Sequence, residues 1–279
     1  MSNEIYPCLW FDNQAKEAAD FYCSAFPDAK ITSENPMVVI FEIEGKKFMG
    51  LNGGPIFKIN PSISMMVTCS TDEEIQGIWD ALSKGGSALM GLDKYPWSER
   101  YGWIKDKYGM TWQLMKGDLP IGAPKIKPSF LFANKQYGRA EEAIKFYTSV
   151  FPDSAIQDLQ LYLPGENQAE GKLKFGDFRL NQNLFSAMDG PGDHQFTFNE
   201  ALSFVVNCDT QEEIDYYWNK LTEGGEESMC GWLKDKFGVS WQIVPVILGK
   251  LMGDPVKGPR VIKAFMKMKK FDIEALKNA

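Results

Sequence analysis

The residue types that most often carry out chemistry are scarce in this chain. His194 is the only histidine, and it lies in the polar stretch Asp189–Gln195, where a Ser-His or Cys-His nucleophile would find no orienting partner. None of the cysteines forms a C-x-x-C pair, so we expect neither a zinc site nor a disulfide framework. Two of them lie in apolar runs and are predicted to be buried structural thiols, namely Cys69 and Cys208.

Paired carboxylates and paired glycines are present, but their positions favour structural roles. Glu73-Glu74 and Glu212-Glu213 lie in the first turns of predicted helices, where negative charge is favoured by the helix dipole. The glycine pairs follow a strand or close a helix, at 53–54, 85–86 and 224–225, and no G-x-G-x-x-G or P-loop pattern occurs. The sequence therefore predicts no cofactor, and it leaves the catalytic residues, if any exist, unassigned.

Composition limits the partners. The chain has 279 residues, a net charge of −7 and a pI near 5.0, which argues against nucleic acid as a partner. No apolar run reaches the roughly 18 residues that span a bilayer, and the first residues lack the pattern of a signal peptide. We expect a cytoplasmic protein with no membrane partner.

An internal repeat organises the chain. Three segments recur in the same order at separations of 125, 139 and 129 residues: AKEAADFYCSAFPD and AEEAIKFYTSVFPD, STDEEIQGIWDALSKGG and DTQEEIDYYWNKLTEGG, and GWIKDKYGMTWQ and GWLKDKFGVSWQ. The first copy carries an insertion near Leu92–Arg100, and the second is longer around 133–139. We predict two domains, at 1–120 and 125–248, followed by a C-terminal tail at 249–279.

Each copy repeats one order of elements twice. Residues 5–11 predict a strand, and a helix follows that ends at Phe26-Pro27-Asp28 because proline cannot continue it. Short strands at 37–44 and 47–52 surround a turn at Glu44-Gly45-Lys46. The buried face of the helix is predicted to be Ala15, Ala18, Ala19 and Tyr22.

The second half of the copy follows the same plan. Residues 63–69 predict a strand, Thr71 and Glu74 a capping box, and further strands lie near 101–106 and 110–116. The buried face of this helix is predicted to be Ile75, Ile78, Trp79 and Leu82. The chain therefore contains four βαβββ modules in an α+β fold, in which helices cover one face of mixed sheets and a cleft remains.

These motifs together resemble one known family. A helix that ends in FY-x-x-x-FPD, the LNGGP turn at Leu51–Pro55 and the closing GW-[IL]-KDK-[FY]-G-x-x-WQ resemble the PhnB-like branch of the vicinal-oxygen-chelate (glyoxalase/bleomycin-resistance/dioxygenase) superfamily. Some members carry the label 3-demethylubiquinone methyltransferase-like. The resemblance covers residues 4–118 and 127–246 and implies tandem glyoxalase-like domains.

The resemblance also implies where a divalent metal would bind, and the residues there are unsuitable. Most members of the superfamily hold the metal with His and Glu from four strands. In the first copy those positions fall on Pro7, Ser64 and Gln113, with Met49 near the fourth. In the second copy they fall on Pro128, Ser203, Gln242 and, near the fourth, Arg179. Divalent cations need imidazole, carboxylate or thiolate donors, so we predict no metal site.

The positions that the resemblance implies, together with strand alternation, give the candidate ligand-binding residues. Pro7, Leu9 and Phe11 are predicted to share one wall of the cleft with Ser64 and Gln113. The full candidate set is Phe11, Met49, Ser64, Gln113, Phe132, Arg179, Ser203 and Gln242. Mostly apolar walls with a few hydroxyl and amide groups suit a small organic molecule.

Three functions remain open at this point. We favour a metal-independent small-molecule-binding protein of the bleomycin-resistance type. The alternatives are an enzyme of the same superfamily, in which Gln113 or Gln242 orients a substrate, and a structural or regulatory partner whose clefts are filled. Methyl transfer from S-adenosylmethionine is disfavoured because no glycine-rich turn joins a strand to a helix. A homodimer is compatible with all three.

The tail has an amphipathic pattern. Pro259–Ala279 predicts a helix with Lys263, Lys267 and Lys270 on one face, and its apolar face is Val261, Ala264, Phe265 and Met268. We expect this helix to pack on its own domains or across a dimer. Docking on a partner or an anionic surface is the alternative.

Overall fold

A computed structural model describes residues 3–120, 122–166 and 169–279. The chain divides into two compact units. The larger contains Pro7–Leu202, and the smaller contains Ser203–Ala279 together with the N-terminal residues up to Tyr6. The predicted order of elements is present in four modules, each a βαβββ unit.

The first two modules come from the first repeat. The first consists of β1 (Ile5–Phe11), α1 (Ala15–Ala25), β2 (Ala29–Glu34), β3 (Val38–Ile43) and β4 (Lys46–Asn52). The second consists of β5 (Ile63–Cys69), α2 (Asp72–Leu82), β6 (Ser87–Tyr95), β7 (Ser98–Lys105) and β8 (Thr111–Lys116). The insertion of the first repeat is therefore part of the long β6–β7 hairpin.

The last two modules come from the second repeat. The third consists of β9 (Ile126–Phe132), α3 (Ala140–Val150), β10 (Ala155–Leu161), β11 (Leu173–Leu180) and β12 (Asn183–Asp189), with a short 3-10 turn at Asn134–Gln136. The fourth consists of β13 (Leu202–Cys208), α4 (Gln211–Thr222), β14 (Glu226–Glu227), β15 (Trp232–Lys234) and β16 (Ser240–Pro245).

The helices begin and end where local sequence dictates. The predicted buried face of α1 is buried throughout, and the helix ends at Ala25, before Pro27. Thr71 caps α2 by accepting a hydrogen bond from the Glu74 N–H at 3.1 Å. On α2 the buried residues are Ile75, Ile78 and Leu82, whereas Trp79 is only half-buried.

One eight-stranded sheet lies entirely within the larger unit, in the order β10-β11-β12-β9-β5-β8-β7-β6. Its halves come from different repeats, because β5 of the second module pairs antiparallel with β9 of the third. In each half the central pair is parallel, β5 with β8 and β12 with β9. The larger unit also contains β1 from Pro7 onward, which pairs parallel with β4, and β3 and β2 beyond it.

Helices α2 and α3 cover one face of this eight-stranded sheet. Phe130 stacks on Phe185 with ring centroids 6.0 Å apart and lies 6.1 Å from Tyr147 of α3. Trp112, which is fully buried, lies on the corresponding side of β8, and a side chain at Gly102 would collide with Trp79 of α2. Because side chains alternate along a strand, the residues between these point to the opposite face.

The smaller unit contains β13 parallel to β16, with β15 and β14 beyond it. Its tail forms α5 (Ile247–Met252), α6 (Gly258–Phe265) and α7 (Ile273–Lys277). The expectation of one helix over Pro259–Ala279 is wrong, because α6 ends at Phe265 and Asp272 caps a new helix by accepting from the Ala275 N–H at 2.9 Å.

The tail packs within its own unit. The Gln211 side chain at the start of α4 donates to the Phe271 carbonyl at 3.0 Å and accepts from the Ile273 N–H at 2.9 Å. Val261, Phe271 and Leu276 are buried. Among the residues that the structure describes, no helix has the length and apolar character needed to cross a membrane.

Candidate functional site

The face of the eight-stranded sheet opposite α2 and α3 carries a line of polar side chains at its centre. The strand register places Ser64 of β5 opposite Ser129 of β9, and Ser129 opposite Ser186 of β12. Gln113 of β8 continues the line beside Ser64. All four side chains are buried. We refer to this side of the sheet as the polar face and to Ser64, Gln113, Ser129 and Ser186 as the polar row.

Gln113 is held at both ends of its amide. Its Oε1 accepts a hydrogen bond from the Tyr101 hydroxyl at 2.7 Å, and its Nε2 donates to Ser64 Oγ at 2.6 Å. In the smaller unit Gln242 Nε2 donates to Ser203 Oγ at 2.9 Å. The two predicted glutamine–serine pairs therefore make the same contact in both repeats.

The tryptophan before each glutamine explains which side of the strand the glutamine occupies. Trp112 Nε1 donates to Asp106 Oδ2 at 2.9 Å, and Trp241 makes the same bond to Asp235 at 2.8 Å. Burial raises the pKa of Asp106 to about 6, although hydrogen bonds from Trp112 and two backbone N–H groups act in the opposite direction. The tryptophan is thus fixed on the helix-covered side, so that alternation turns Gln113 towards the polar face.

Several buried polar atoms of the polar face have no hydrogen-bond partner among the described residues. Four such atoms lie there: Trp103 Nε1, Thr111 Oγ1, Ser129 Oγ and Arg179 Nε. Trp103 is opposite Gln113 in register and Thr111 is two residues before it, so both share its side of the sheet. Most buried polar groups in proteins are paired, so this concentration on one face indicates a site for a ligand or bound water.

The third module places three charged side chains on the polar face. Lys127 Nζ contacts Asp177 Oδ1 at 2.6 Å, and Asp177 lies opposite Ser186 in register. Arg179 follows two residues later on the same side of β11, where it is half-buried. Met66, which is buried, accepts a hydrogen bond from the Ser186 hydroxyl at its sulfur at 3.2 Å.

An aromatic cluster lies beside the row on the β6–β7 hairpin. Tyr95 and Trp97 stack with ring centroids 5.1 Å apart, and Tyr101 meets each of them edge-on at 5.6 and 5.7 Å. Trp97 is 58% exposed, whereas Tyr101 is buried and bonds to Gln113. The hairpin therefore connects an exposed aromatic surface to the polar row.

The structure brings together three of the predicted residues and places two others on helix-covered sides of their strands. Ser64, Gln113 and Arg179 share the polar face. Phe132 does not, because it lies on the side of β9 that Phe130 packs against α3. Phe11 is also on a helix-covered side, beside Gly50 and Ala15 of α1. Both phenylalanines thus lie on helix-covered sides of their strands, and their contact with a ligand stays a prediction.

The remaining predicted residues lie elsewhere. Met49 is on β4, opposite Cys8 in register and on the other side of the strand from Phe48, which packs against Phe41. Ser203 and Gln242 belong to the smaller unit. Arg179 is on β11, one strand away from Ser186 of β12.

Sequence reasoning missed the central residues of the site. Ser129 lies between Pro128 and Phe130 on β9, the strand that also carries Phe132. When a small polar residue lies between two large apolar residues on a buried strand, its side chain points to the face of the sheet opposite to theirs. The register of β9 with β5 decides which side that is, and a single sequence does not give it.

The lone histidine and the cysteines offer no alternative centre. His194 was expected to be solvated, but its ring lies 5.1 Å from Phe196 and its Nε2 is buried. Cys69 and Cys208 are buried as predicted. Burial raises the pKa of the Cys69 thiol to about 12, which keeps it protonated and unreactive at neutral pH.

Comparison with known proteins identifies the family. The model for 3-demethylubiquinone-9 3-methyltransferase matches twice, over residues 3–115 and 124–244. The chain belongs to this family. It is similar to a PhnB protein from Bacillus cereus, with 34% identity over 40% of this chain and 98% of that chain and a TM-score of 0.38. The double match establishes the tandem arrangement, while the exact domain boundaries remain a prediction.

The tandem fold as a whole is similar to that of glyoxalase I from Zea mays. The two share 12% identity over 86% of this chain and 92% of that chain, with a TM-score of 0.56. This likeness shows a glyoxalase-like fold, the fold that the resemblance to the vicinal-oxygen-chelate superfamily implies. The chain has no match among curated proteins.

The metal that this superfamily commonly uses does not fit the polar row. The row offers three hydroxyls and one amide, and no imidazole, carboxylate or thiolate. Within residues 3–120, 122–166 and 169–279, no group of three or more His, Cys, Asp and Glu side chains could hold a metal ion. Neutral oxygen donors in a buried row do not offset the charge of a divalent cation.

The family's description implies S-adenosylmethionine, and the glycine pairs do not fit that cofactor. Gly53 and Gly54 follow β4, and the Gly54 carbonyl accepts from Trp10 Nε1 at 2.7 Å. The pairs at 85–86 and 224–225 come just after α2 and α4. None of them opens a helix after a strand, which is the geometry that lets a backbone approach such a cofactor.

Proposed function

We propose that the chain binds a small organic molecule on the polar face without a metal ion. The observation that carries the proposal is the set of four buried polar atoms there without partners, on Trp103, Thr111, Ser129 and Arg179. An unsatisfied buried donor or acceptor costs about 1–3 kcal/mol. A ligand that satisfies several of them would recover much of this cost on binding.

The neighbouring side chains indicate the kind of ligand. Met66 of the polar face is buried, and Met115, Leu184 and Met188 on the same side are half-buried. These side chains suit an apolar body, while the hydroxyls, the indole and the guanidinium suit polar groups at its edge. A partly aromatic metabolite with one or two polar substituents matches this arrangement.

A thermal-shift screen of small aromatic and aliphatic metabolites tests the proposal. We expect members of the screen to raise the melting temperature of the intact chain, equally with and without EDTA. Ser129→Ala should reduce that rise. Ser240→Ala is the matched control, because Ser240 Oγ is also buried without a partner but belongs to the smaller unit. A rise that depends on added divalent metal would contradict metal independence.

A second candidate is catalysis at the same site, and the fixed amide of Gln113 favours it. A side chain held by Tyr101 and Ser64 is pre-organised to orient a substrate. This candidate requires turnover of a ligand found by the screen, and loss of that turnover in Gln113→Ala while the fold persists. A bound ligand that is recovered chemically unchanged would leave binding as the function. The cytoplasm and a homodimer remain part of the proposal.

A further inference from the structure

We infer that Arg179 recognises a carboxylate group, so that the ligand of the polar face is a small organic acid. This inference rests on the proposed function and adds the chemical class of the ligand. It is argued from the position of Arg179, the charges around it, and the equivalent position in the first module.

Arg179 lies on the same side of the sheet as the polar row. Its neighbours Phe178 and Leu180 are fully buried, and Phe178 stacks with Phe185 on the helix-covered side at 5.6 Å. Alternation therefore turns Arg179 to the polar face. It lies opposite Leu184 of β12 in register, two residues from Ser186 of the polar row.

The guanidinium has no partner within residues 3–120, 122–166 and 169–279. Its Nε is buried and makes no hydrogen bond, and no described carboxylate lies within 4.0 Å of the group. The nearest acidic residue along β11 on the same side is Asp177, which is already engaged by Lys127 at 2.6 Å. Asp158 of β10 lies opposite Asp177 in register, and its carboxylate accepts from Gln160 and makes no ion pair with Arg179 among the described residues. Arg179 is therefore a cation of the polar face that no described carboxylate pairs with.

In the first module, the residue equivalent to Arg179 is also charged, and it forms an ion pair. Glu42 is the next-to-last residue of β3, and Arg179 is the next-to-last residue of β11. Each directly follows a phenylalanine, Phe41 or Phe178, so the two positions are equivalent. Glu42 lies opposite Lys30 of β2, and the two form an ion pair at 3.1 Å. The residue opposite Arg179 is Ala155, which offers no charge. The third module has thus lost the cross-strand partner that the first module retains.

A carboxylate would pair with the Arg179 guanidinium better than a neutral group would. Guanidinium and carboxylate form two parallel hydrogen bonds, and the Nε edge of Arg179 is the part of the group withdrawn from water. A guanidinium without an ion-pair partner is best matched by an anionic group. The apolar side chains beside it, Leu184 and Met188, would contact the body of the acid.

The test uses pairs of probes that differ only in charge. Phenylacetate with phenylacetamide, and indole-3-acetate with indole-3-acetamide, are titrated into the intact chain and into Arg179→Gln, with thermal shift and calorimetry as readouts. We expect each acid to bind the unmodified chain more tightly than its amide. Arg179→Gln should weaken the acids about tenfold or more and leave the amides nearly unchanged.

Two controls separate this result from a loss of fold. Glu42→Gln changes a charge at the equivalent position of the first module and should leave the preference for acids intact. Arg179→Met, measured without any ligand, should raise the melting temperature, because it removes an unpaired half-buried charge. A fall in melting temperature would show that Arg179 has a structural partner and would overturn the inference.

The outcomes distinguish the two proposals. If acids and amides bind equally and Arg179→Gln affects neither, the carboxylate inference fails while ligand binding on the polar face stands. If no probe of either pair binds the unmodified chain, the inference fails for aromatic acids, and the metabolite screen decides the wider proposal separately.

Discussion

The side-chain amide of Gln113 donates to the Ser64 hydroxyl at 2.6 Å, across the parallel strands β8 and β5. The same pair occurs as Gln242 and Ser203 in the other unit. Only in the larger unit does the described structure show a tyrosine completing the pair, since the Tyr101 hydroxyl donates to Gln113. The contact is therefore a shared property of the repeat, and Tyr101 is what distinguishes the larger unit's copy.

Gln113→Leu should destabilise the larger unit more than its counterpart destabilises the smaller one. Removing the amide leaves the Tyr101 and Ser64 hydroxyls buried without partners, which costs about 2–4 kcal/mol in the free energy of unfolding. Gln242→Leu, the matched variant, leaves only the Ser203 hydroxyl without its partner among the described contacts and should cost roughly half as much. Urea denaturation of both variants measures the difference, and equal losses would contradict the role given to Tyr101.

Ser129→Ala should stabilise the chain in the absence of ligand. The Ser129 hydroxyl is buried without a hydrogen-bond partner, and its removal relieves a cost of about 1 kcal/mol. The same change should weaken any ligand that bonds to this hydroxyl, so stability and affinity move in opposite directions. Urea denaturation and calorimetry on one preparation provide both values. A variant that loses stability would place an ordered partner, such as water, on the hydroxyl.

Asp106 predicts a dependence of stability on pH. Its pKa is about 6 in the folded chain because of burial, against an ordinary value of 3.8. Between these values the folded chain binds more protons than the unfolded chain, so this group's contribution to stability falls as pH rises from about 4 to about 6. The total change is on the order of 2–3 kcal/mol.

Asp106→Asn isolates that contribution. The variant does not titrate, so the difference in unfolding free energy between it and the unmodified chain should vary over this pH range. At neutral pH the variant should also lose stability, because an amide cannot accept from Trp112 and from both backbone N–H groups with one oxygen. A difference that stays constant from pH 4 to 7 would show that the pKa is not raised.

Leu276→Ala tests the packing of the tail. Leu276 of α7 is fully buried, and its truncation should cost about 2–4 kcal/mol. Ile262 of α6 is 44% exposed, so Ile262→Ala should cost much less, about 0.5 kcal/mol. Thermal unfolding of the two variants gives the comparison. Similar small losses would mean that the tail contributes little to the smaller unit.

The sequence predicted the elements more reliably than the faces they present. The spacing of Ala15, Ala18, Ala19 and Tyr22 identified a buried helical face because a helix with one apolar stripe has only one way to pack. A strand such as Pro128–Phe132 has two sides, and alternation alone leaves open which side meets the helix. The helix-covered side that Phe11 and Phe132 occupy therefore does not follow from alternation.

The candidate site could be predicted only in part, because some of its residues are brought together by long-range strand pairing. Ser64 and Gln113 were found because the WQ motif recurs and fixes the side of β8. Ser129 and Ser186 depend on the register of β9 with β5 and β12, which joins residues 65 positions apart in the case of Ser64 and Ser129. Long-range pairing of that kind is not encoded in any local pattern.

The pairing of β5 with β9 makes the polar row a joint product of both halves of the coding sequence. Ser64 and Gln113 come from one ancestral copy, and Ser129 and Ser186 from the other. During synthesis the row cannot be complete until Ser186 has left the ribosome, and the edge of β5 that meets β9 stays uncovered until the second repeat begins to emerge. A chain with a single repeat would carry only half of the row.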